Sequence, residues 1–188
     1  QILFLFIFLL MLGLFFSFSS TTSVVSEKMN KQTYFFFIKH FVFVFISLFL
    51  LVGISIQEKS KLIKFFIYLF LISIVLLFLT LVVGVEVKGA KRWMDFPLLP
   101  IRFQPIELVK PLFIIIVARI IVLNEKTNVY RRYLNSFLIL LLIITILIKQ
   151  PDLGQALLLT SAWIAMIFAS GFNMFILFFS GLIFLGFV

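Results

Sequence analysis

"VEVKGAKRWMDFPLLPIRFQPIELVKP", residues 85 to 111, sets eight charged side chains between two long apolar runs, in a chain that has only 16 basic and seven acidic residues. Of the 188 residues 64% are hydrophobic and 12% charged, and the mean hydropathy of +1.29 lies far above that of a soluble domain. The composition is that of an integral membrane protein, and the quoted stretch is a loop between two of its spans.

A helix crossing the hydrocarbon core needs about 20 mainly apolar residues, and lipid leaves no partner for open backbone groups, so the spans are helical. The pattern predicts them at about 1–17, 35–56, 65–85, 106–123, 134–149 and 153–170, with a seventh starting near 174. The fold class expected is therefore all-α, a polytopic transmembrane bundle. The apolar run at the start has no basic leader and no small-residue cleavage site, and so reads as part of a span. Both ends fall inside apolar runs, which suggests a single membrane domain truncated at either end over residues 1–188.

Outward from the opening stretch, the links are "SFSSTTSVVSEKMNKQTY", "QEKSKLIK", "NEKTNVYRRY", "KQPD" and "GFN". Loops one, three and five share one side of the membrane, so parity alone puts residues 85–111 and "KQPDLG" on the same face. Lysine and arginine counts do not decide which face this is. "QEKSKLIK" and "NEKTNVYRRY" hold Lys59, Lys61, Lys64, Lys126, Arg131 and Arg132; the other side carries Lys28, Lys31, Lys39, Lys88, Lys91, Arg92, Arg102, Lys110 and Lys149. Such an excess suggests that some of the second set serve a ligand.

Two helix starts on that face echo each other: "QPIELVK" at 104–110 and "QPDLGQA" at 150–156. Proline suits the first helical position, where its missing N–H would be unpaired anyway. A carboxylate there is favoured by the positive end of the helix dipole, so Glu107 and Asp152 have a plain reading as helix caps. Against it, Glu107 and Lys110 lie three apart on one helix face at the membrane surface, where ionisable groups usually face a polar cavity. The two Gln-Pro starts could then line one vestibule, with Gln104 and Gln150 at its edge.

Lys91, Arg92 and Trp93 precede them in a stretch whose Gly89 and prolines suit an ordered, non-helical path. They read either as an anchor on anionic headgroups with an interfacial tryptophan, or as a site for a phosphate-bearing lipid head. His40, the only histidine, fits an interfacial role, and Arg119 lies near the opposite end of the fourth span, where it can snorkel. With no cysteine, disulfides and thiolate metal sites are excluded. No phosphate-binding loop, zinc-protease or dinucleotide motif is present, and nothing points to nucleic acid.

"LVVGVEVKGAKRW", "FQPIELVKP" and "QPDLG", in this order and separated by these spans, resemble the SEDS family (shape, elongation, division and sporulation), and its division branch most. The resemblance covers essentially the whole chain, including the Ser- and Thr-rich first loop. It implies a membrane protein of about ten spans that polymerises lipid II, an undecaprenyl-pyrophosphate-linked disaccharide-peptide, into peptidoglycan strands. The site would lie on the extracytoplasmic face of the bacterial inner membrane, and a class B penicillin-binding protein and other division proteins would be partners, beside membrane lipids. Lys91, Arg92, Trp93, Gln104, Lys110 and Gln150 would bind substrate, with Glu107 and Asp152 as supporting catalytic carboxylates; the principal catalytic Asp would lie beyond Val188. No protein metal site is implied, but a divalent cation, magnesium or manganese, could accompany the pyrophosphate. Ile106, where the family has a small residue, and Gln155, where it commonly has Thr, are departures. A lipid-linked precursor flippase, the elongation branch and a non-catalytic division scaffold are the alternatives.

Overall fold

The computed structural model describes residues 2–21, 35–87, 89–95, 102–123 and 128–172. Among the described residues six helices run α1 (Ile2–Thr21), α2 (Phe35–Ser55), α3 (Lys59–Val83), α4 (Ile106–Leu123), α5 (Val129–Lys149) and α6 (Leu153–Ala169). Between α3 and α4 lie three short strands, β1 (Val85–Val87), β2 (Ala90–Asp95) and β3 (Arg102–Phe103). The protein is thus a helical membrane protein with a small extramembrane sheet. Among the described residues, Phe37–Ser55, Lys59–Val83 and Val129–Lys149 are long and apolar enough to cross a bilayer. The expected seventh span and most of the first loop lie outside the described residues.

Two helices begin earlier than their apolar runs suggest. α3 starts at Lys59 and not near 65, taking the "KSKLIK" lysines into its first turns, where Lys61 pairs with Glu58 at 3.2 Å. At 25 residues it is about 37 Å long, enough for its ends to stand in the interfacial zone beyond an apolar core of about 30 Å. α5 starts at Val129 and not at 134 because Asn128 caps it, its side-chain oxygen accepting from the Tyr130 amide at 3.2 Å.

The chain forms two compact units, residues 1–62 and 63–188. In the first, α1 and α2 pack together, with the Phe18 and Phe37 rings edge-on at 5.2 Å. The core of the second is built from Leu77 of α3, Val109, Phe113 and Val117 of α4, Leu140, Ile143 and Leu147 of α5, and Leu159 and Ile167 of α6. Apolar side chains point outward too, as lipid allows: Tyr68, Val82 and Phe168 stand exposed.

Polar side chains tie these helices where apolar packing alone would leave register loose. The Trp163 indole of α6 donates to Ser136 Oγ of α5 at 3.0 Å, and Arg132 Nη1 donates to the Ile121 carbonyl at 2.7 Å, closing the end of α4. Gln150, at the end of α5, donates from its amide nitrogen to the Leu77 carbonyl at 3.0 Å and to Thr80 Oγ1 of α3. Interhelical bonds of this kind contribute about 0.6–2 kcal/mol each. Gln150→Ala is therefore expected to destabilise the full-length protein by about 2 kcal/mol, adding the lost bonds to the space vacated by a fully buried side chain. A thermal melt in detergent checks this, and an unchanged midpoint would contradict it.

Gly84 closes α3, its amide donating to the Thr80 carbonyl at 3.0 Å. A Cβ at this position would run into that same carbonyl oxygen, which is backbone and cannot rotate aside. Gly84→Ala should cost about 1–3 kcal/mol and loosen the turn into β1, visible as a lower melting midpoint.

Candidate functional site

The opening stretch folds as an antiparallel ribbon. Val87 pairs with Ala90, Glu86 with Lys91 and Val85 with Trp93, the register shifting at Val85/Glu86 as in a bulge. Gly89 takes φ +79°, the left-handed conformation that a tight connection between paired strands requires and that side chains resist. At its far end β2 pairs with β3, Met94 against Phe103 and Asp95 against Arg102; the last two also form an ion pair at 3.1 Å. Two residues after β3, Pro105 opens α4, its carbonyl accepting from the Leu108 and Val109 amides at 3.0 and 3.1 Å. The ribbon thus fixes where "QPIELVK" begins.

β2 also reaches the second Gln-Pro start. Arg92 Nη1 stands 3.4 Å from Asp152 Oδ1, and its Nη2 donates to the Pro151 carbonyl at 3.1 Å. This realises the parity argument: residues 85–111 and "KQPDLG" meet at one end of the bundle, across 59 residues of sequence. The Asp152 side chain is only 5% exposed, whereas that of Arg92 is 35% exposed. The pair is rooted in protein on the carboxylate side and opens toward solvent on the guanidinium side.

Neither carboxylate serves as a helix cap. Asp152 is the N-cap residue of α6, yet only its backbone carbonyl works as one, accepting from the Ala156 amide at 3.2 Å; its side chain makes no capping bond. Glu107 turns along its own helix to Lys110, with Nζ 2.9 Å from Oε2 and 3.0 Å from Oε1. Pro111, four residues on, lacks the N–H that would bond the Glu107 carbonyl, so acceptor capacity remains beside that pair.

Beside the Asp95–Arg102 pair within the ribbon, the described residues at this end of the bundle carry two further ion pairs, Arg92–Asp152 and Glu107–Lys110, each on an element tied to the ribbon. Lys91 is exposed opposite Glu86, Trp93 is half-buried opposite Val85, and Gln104 is half-buried just ahead of α4. Gln150 stands apart from this group: it is buried within the helix packing, bonded to α3, and sets the position of Asp152 two residues on. Three atoms near the Arg92–Asp152 pair are buried without a hydrogen-bond partner: Arg92 Nε, Asp152 Oδ2 and Gln155 Oε1. Buried polar atoms left open in this way are costly, and their usual explanation is a ligand or bound water.

Gln155 and Thr80 are the residues that sequence reasoning underused. Gln155 was visible as a departure from a motif, without a role; its open oxygen lies one turn beyond Asp152. Thr80 is a polar residue within an apolar span, and that was the available signal for an interhelical bond. The Pro151 carbonyl gives no side-chain signal at all.

This geometry can be set beside known proteins. The model of the FtsW/RodA/SpoVE family, described as "Cell cycle protein", matches residues 1–188. The chain belongs to the FtsW/RodA/SpoVE family. Within it, proteins named "Probable peptidoglycan glycosyltransferase FtsW" are similar: that of Escherichia coli is 40% identical over 93 residues, which are 48% of this chain and 22% of the relative. That of Trichlorobacter lovleyi is 34% identical over 110 residues, 56% of this chain and 28% of the relative. The matched part thus spans about a quarter of these curated relatives.

Among solved structures, a chain from a study of "Structural coordination of polymerization and crosslinking by a peptidoglycan synthase complex" superposes with a TM-score of 0.74 at 27% identity. The superposition covers 96% of this chain and 51% of that one. The Thermus thermophilus rod shape determining protein RodA gives 0.63 at 27% identity, over 86% of this chain and 54% of that one.

Proposed function

We propose that the protein containing this chain polymerises lipid II into peptidoglycan strands during cell division, and that the Arg92–Asp152 and Glu107–Lys110 pairs form part of its substrate vestibule. The reading is supported by the family, by relatives named as probable peptidoglycan glycosyltransferases, and above all by one observation: a buried carboxylate whose second oxygen is open beside a half-exposed guanidinium. The site lies on the extracytoplasmic face of the bacterial inner membrane in this account, and Lys91, Lys110 and Arg92 form the cationic side that receives the pyrophosphate of the lipid carrier. Guanidinium and ammonium groups held by protein lower the cost of charge that builds on the leaving oxygen, an effect worth about 3–4 kcal/mol per donor in comparable sites.

The new glycosidic bond forms when the 4-hydroxyl of one GlcNAc attacks the anomeric carbon of the MurNAc on the carrier, with inversion. The attacking oxygen loses its proton to a carboxylate base, and the carrier pyrophosphate departs with the bonding electron pair. The principal base lies beyond Val188 in this reading. Glu107 and Asp152 orient and hold the cations that meet the leaving group, and Trp93 offers an apolar face at the interface. Gln104 lies at the mouth of the vestibule, and Gln150 acts as a positioning residue for Asp152.

Among the described residues no three His, Asp or Glu side chains converge to hold a metal. Magnesium bound through one carboxylate and substrate phosphates needs less, and Asp152 Oδ2 is an open oxygen suited to it. Such an ion would neutralise pyrophosphate charge. A class B penicillin-binding protein is the proposed partner for crosslinking, in keeping with the synthase complex that the fold resembles.

The test is reconstitution of the full-length protein with that partner and lipid II, resolving products by size. Glycan strands support the reading. Movement of lipid II across the bilayer without any strand formed would contradict it in favour of transport.

A further inference from the structure

Away from the charged motifs, the second unit holds a lateral cavity of about 690 Å³ between α3, α4 and α5. Its size falls within the range of about 300–1,000 Å³ typical of small-molecule sites. Phe70 and Ile116 are buried in its lining, while Leu71 and Leu142 stand half exposed. One lining residue is charged. Arg119 is half-buried in this wall and makes no hydrogen bond or ion pair to any described residue.

A guanidinium set in an apolar wall with no partner among the described residues is met best by an anion. Its depth narrows the choice. Arg119 lies 13 residues on from Ile106, about 20 Å along α4 from the Glu107 end, and only four residues from the end of the helix. The apolar walls run from there toward the middle of the bilayer: Ile74 is 15 residues into α3, about 22 Å from its start, and Ile139 is ten into α5, about 15 Å from its start. A ligand that fits both ends has an anionic head near the membrane surface and an apolar tail pointing inward.

We propose that this cavity binds an anionic phospholipid of the leaflet opposite the Arg92–Asp152 site. The Arg119 guanidinium donates a pair of hydrogen bonds to the lipid phosphate, and an acyl chain lies against Phe70, Ile74 and Ile139. The occupant is then a component of the bilayer, separate from any substrate at the charged motifs.

The full-length protein is placed in phosphatidylcholine nanodiscs containing a minor fraction of phosphatidylglycerol, with Leu142 replaced by photoreactive benzoylphenylalanine. Irradiation is expected to crosslink phosphatidylglycerol preferentially. Arg119→Gln should lower that yield about ten-fold, through the loss of the charge-assisted pair, and Arg119→Lys, which keeps the charge without the paired geometry, should restore part of it. Equal crosslinking of both lipids, a yield indifferent to Arg119→Gln, or crosslinks only to another segment of the protein would each overturn the proposal. Preferential crosslinking of added undecaprenyl phosphate over phosphatidylglycerol would overturn it in favour of the carrier lipid.

Discussion

Arg92→Ala is expected to lower both stability and strand synthesis, and the two losses should separate on adding a second substitution. The single change leaves the Asp152 carboxylate buried and without its cation. Stranding one member of a buried pair costs about 3–5 kcal/mol, and the one-third exposure of Arg92 puts the figure here near the lower end. In Arg92→Ala/Asp152→Ala no buried charge is stranded, so most of the stability should return. Polymerisation should stay at least 100-fold down, because the cation proposed to meet the leaving group is still missing. Melting curves and strand yields of the two variants and of the unaltered full-length protein make the comparison; recovery of synthesis alongside stability would show the pair to be structural only.

Lys110→Met tests the second pair from the opposite direction. Glu107 is more than half exposed, so its ion pair with Lys110 contributes at most about 1 kcal/mol and the fold should hardly notice the loss. Methionine keeps the length of the side chain and removes only its charge. Strand synthesis should nevertheless fall about 100-fold, through the loss of a cation from the side proposed to receive the pyrophosphate. A stable variant with undiminished synthesis would remove Lys110 from the site.

Local patterning made much of the fold legible. Apolar length gave the helices and their order, and the parity of the loops brought residues 85–111 to the same end as "KQPDLG" before any contact was known. Glu107 and Lys110 were readable as neighbours from their spacing alone. The ribbon was not. β1 is three residues long and follows α3 without a polar break, so Val85 reads as the last turn of a span; β3 has only two residues. Strands this short carry too few positions for an alternating pattern to show.

Contacts between distant segments were equally hidden. That Arg92 would meet Asp152, and that Gln150 would turn away from the vestibule to bond Thr80 and Leu77, depends on how α3, α5 and β2 converge. Residue type identified both as candidates for the site. Only packing separates a side chain that lines it from one that holds it in place.

The most direct measurement is lipid II polymerisation by the full-length protein, reconstituted with the proposed class B penicillin-binding protein partner, with Glu107→Ala and Asp152→Ala compared at matched expression. The account predicts that each variant inserts into the membrane and binds its partner yet forms no glycan strands. Normal strand yield from both would contradict the assignment of these carboxylates to the substrate vestibule.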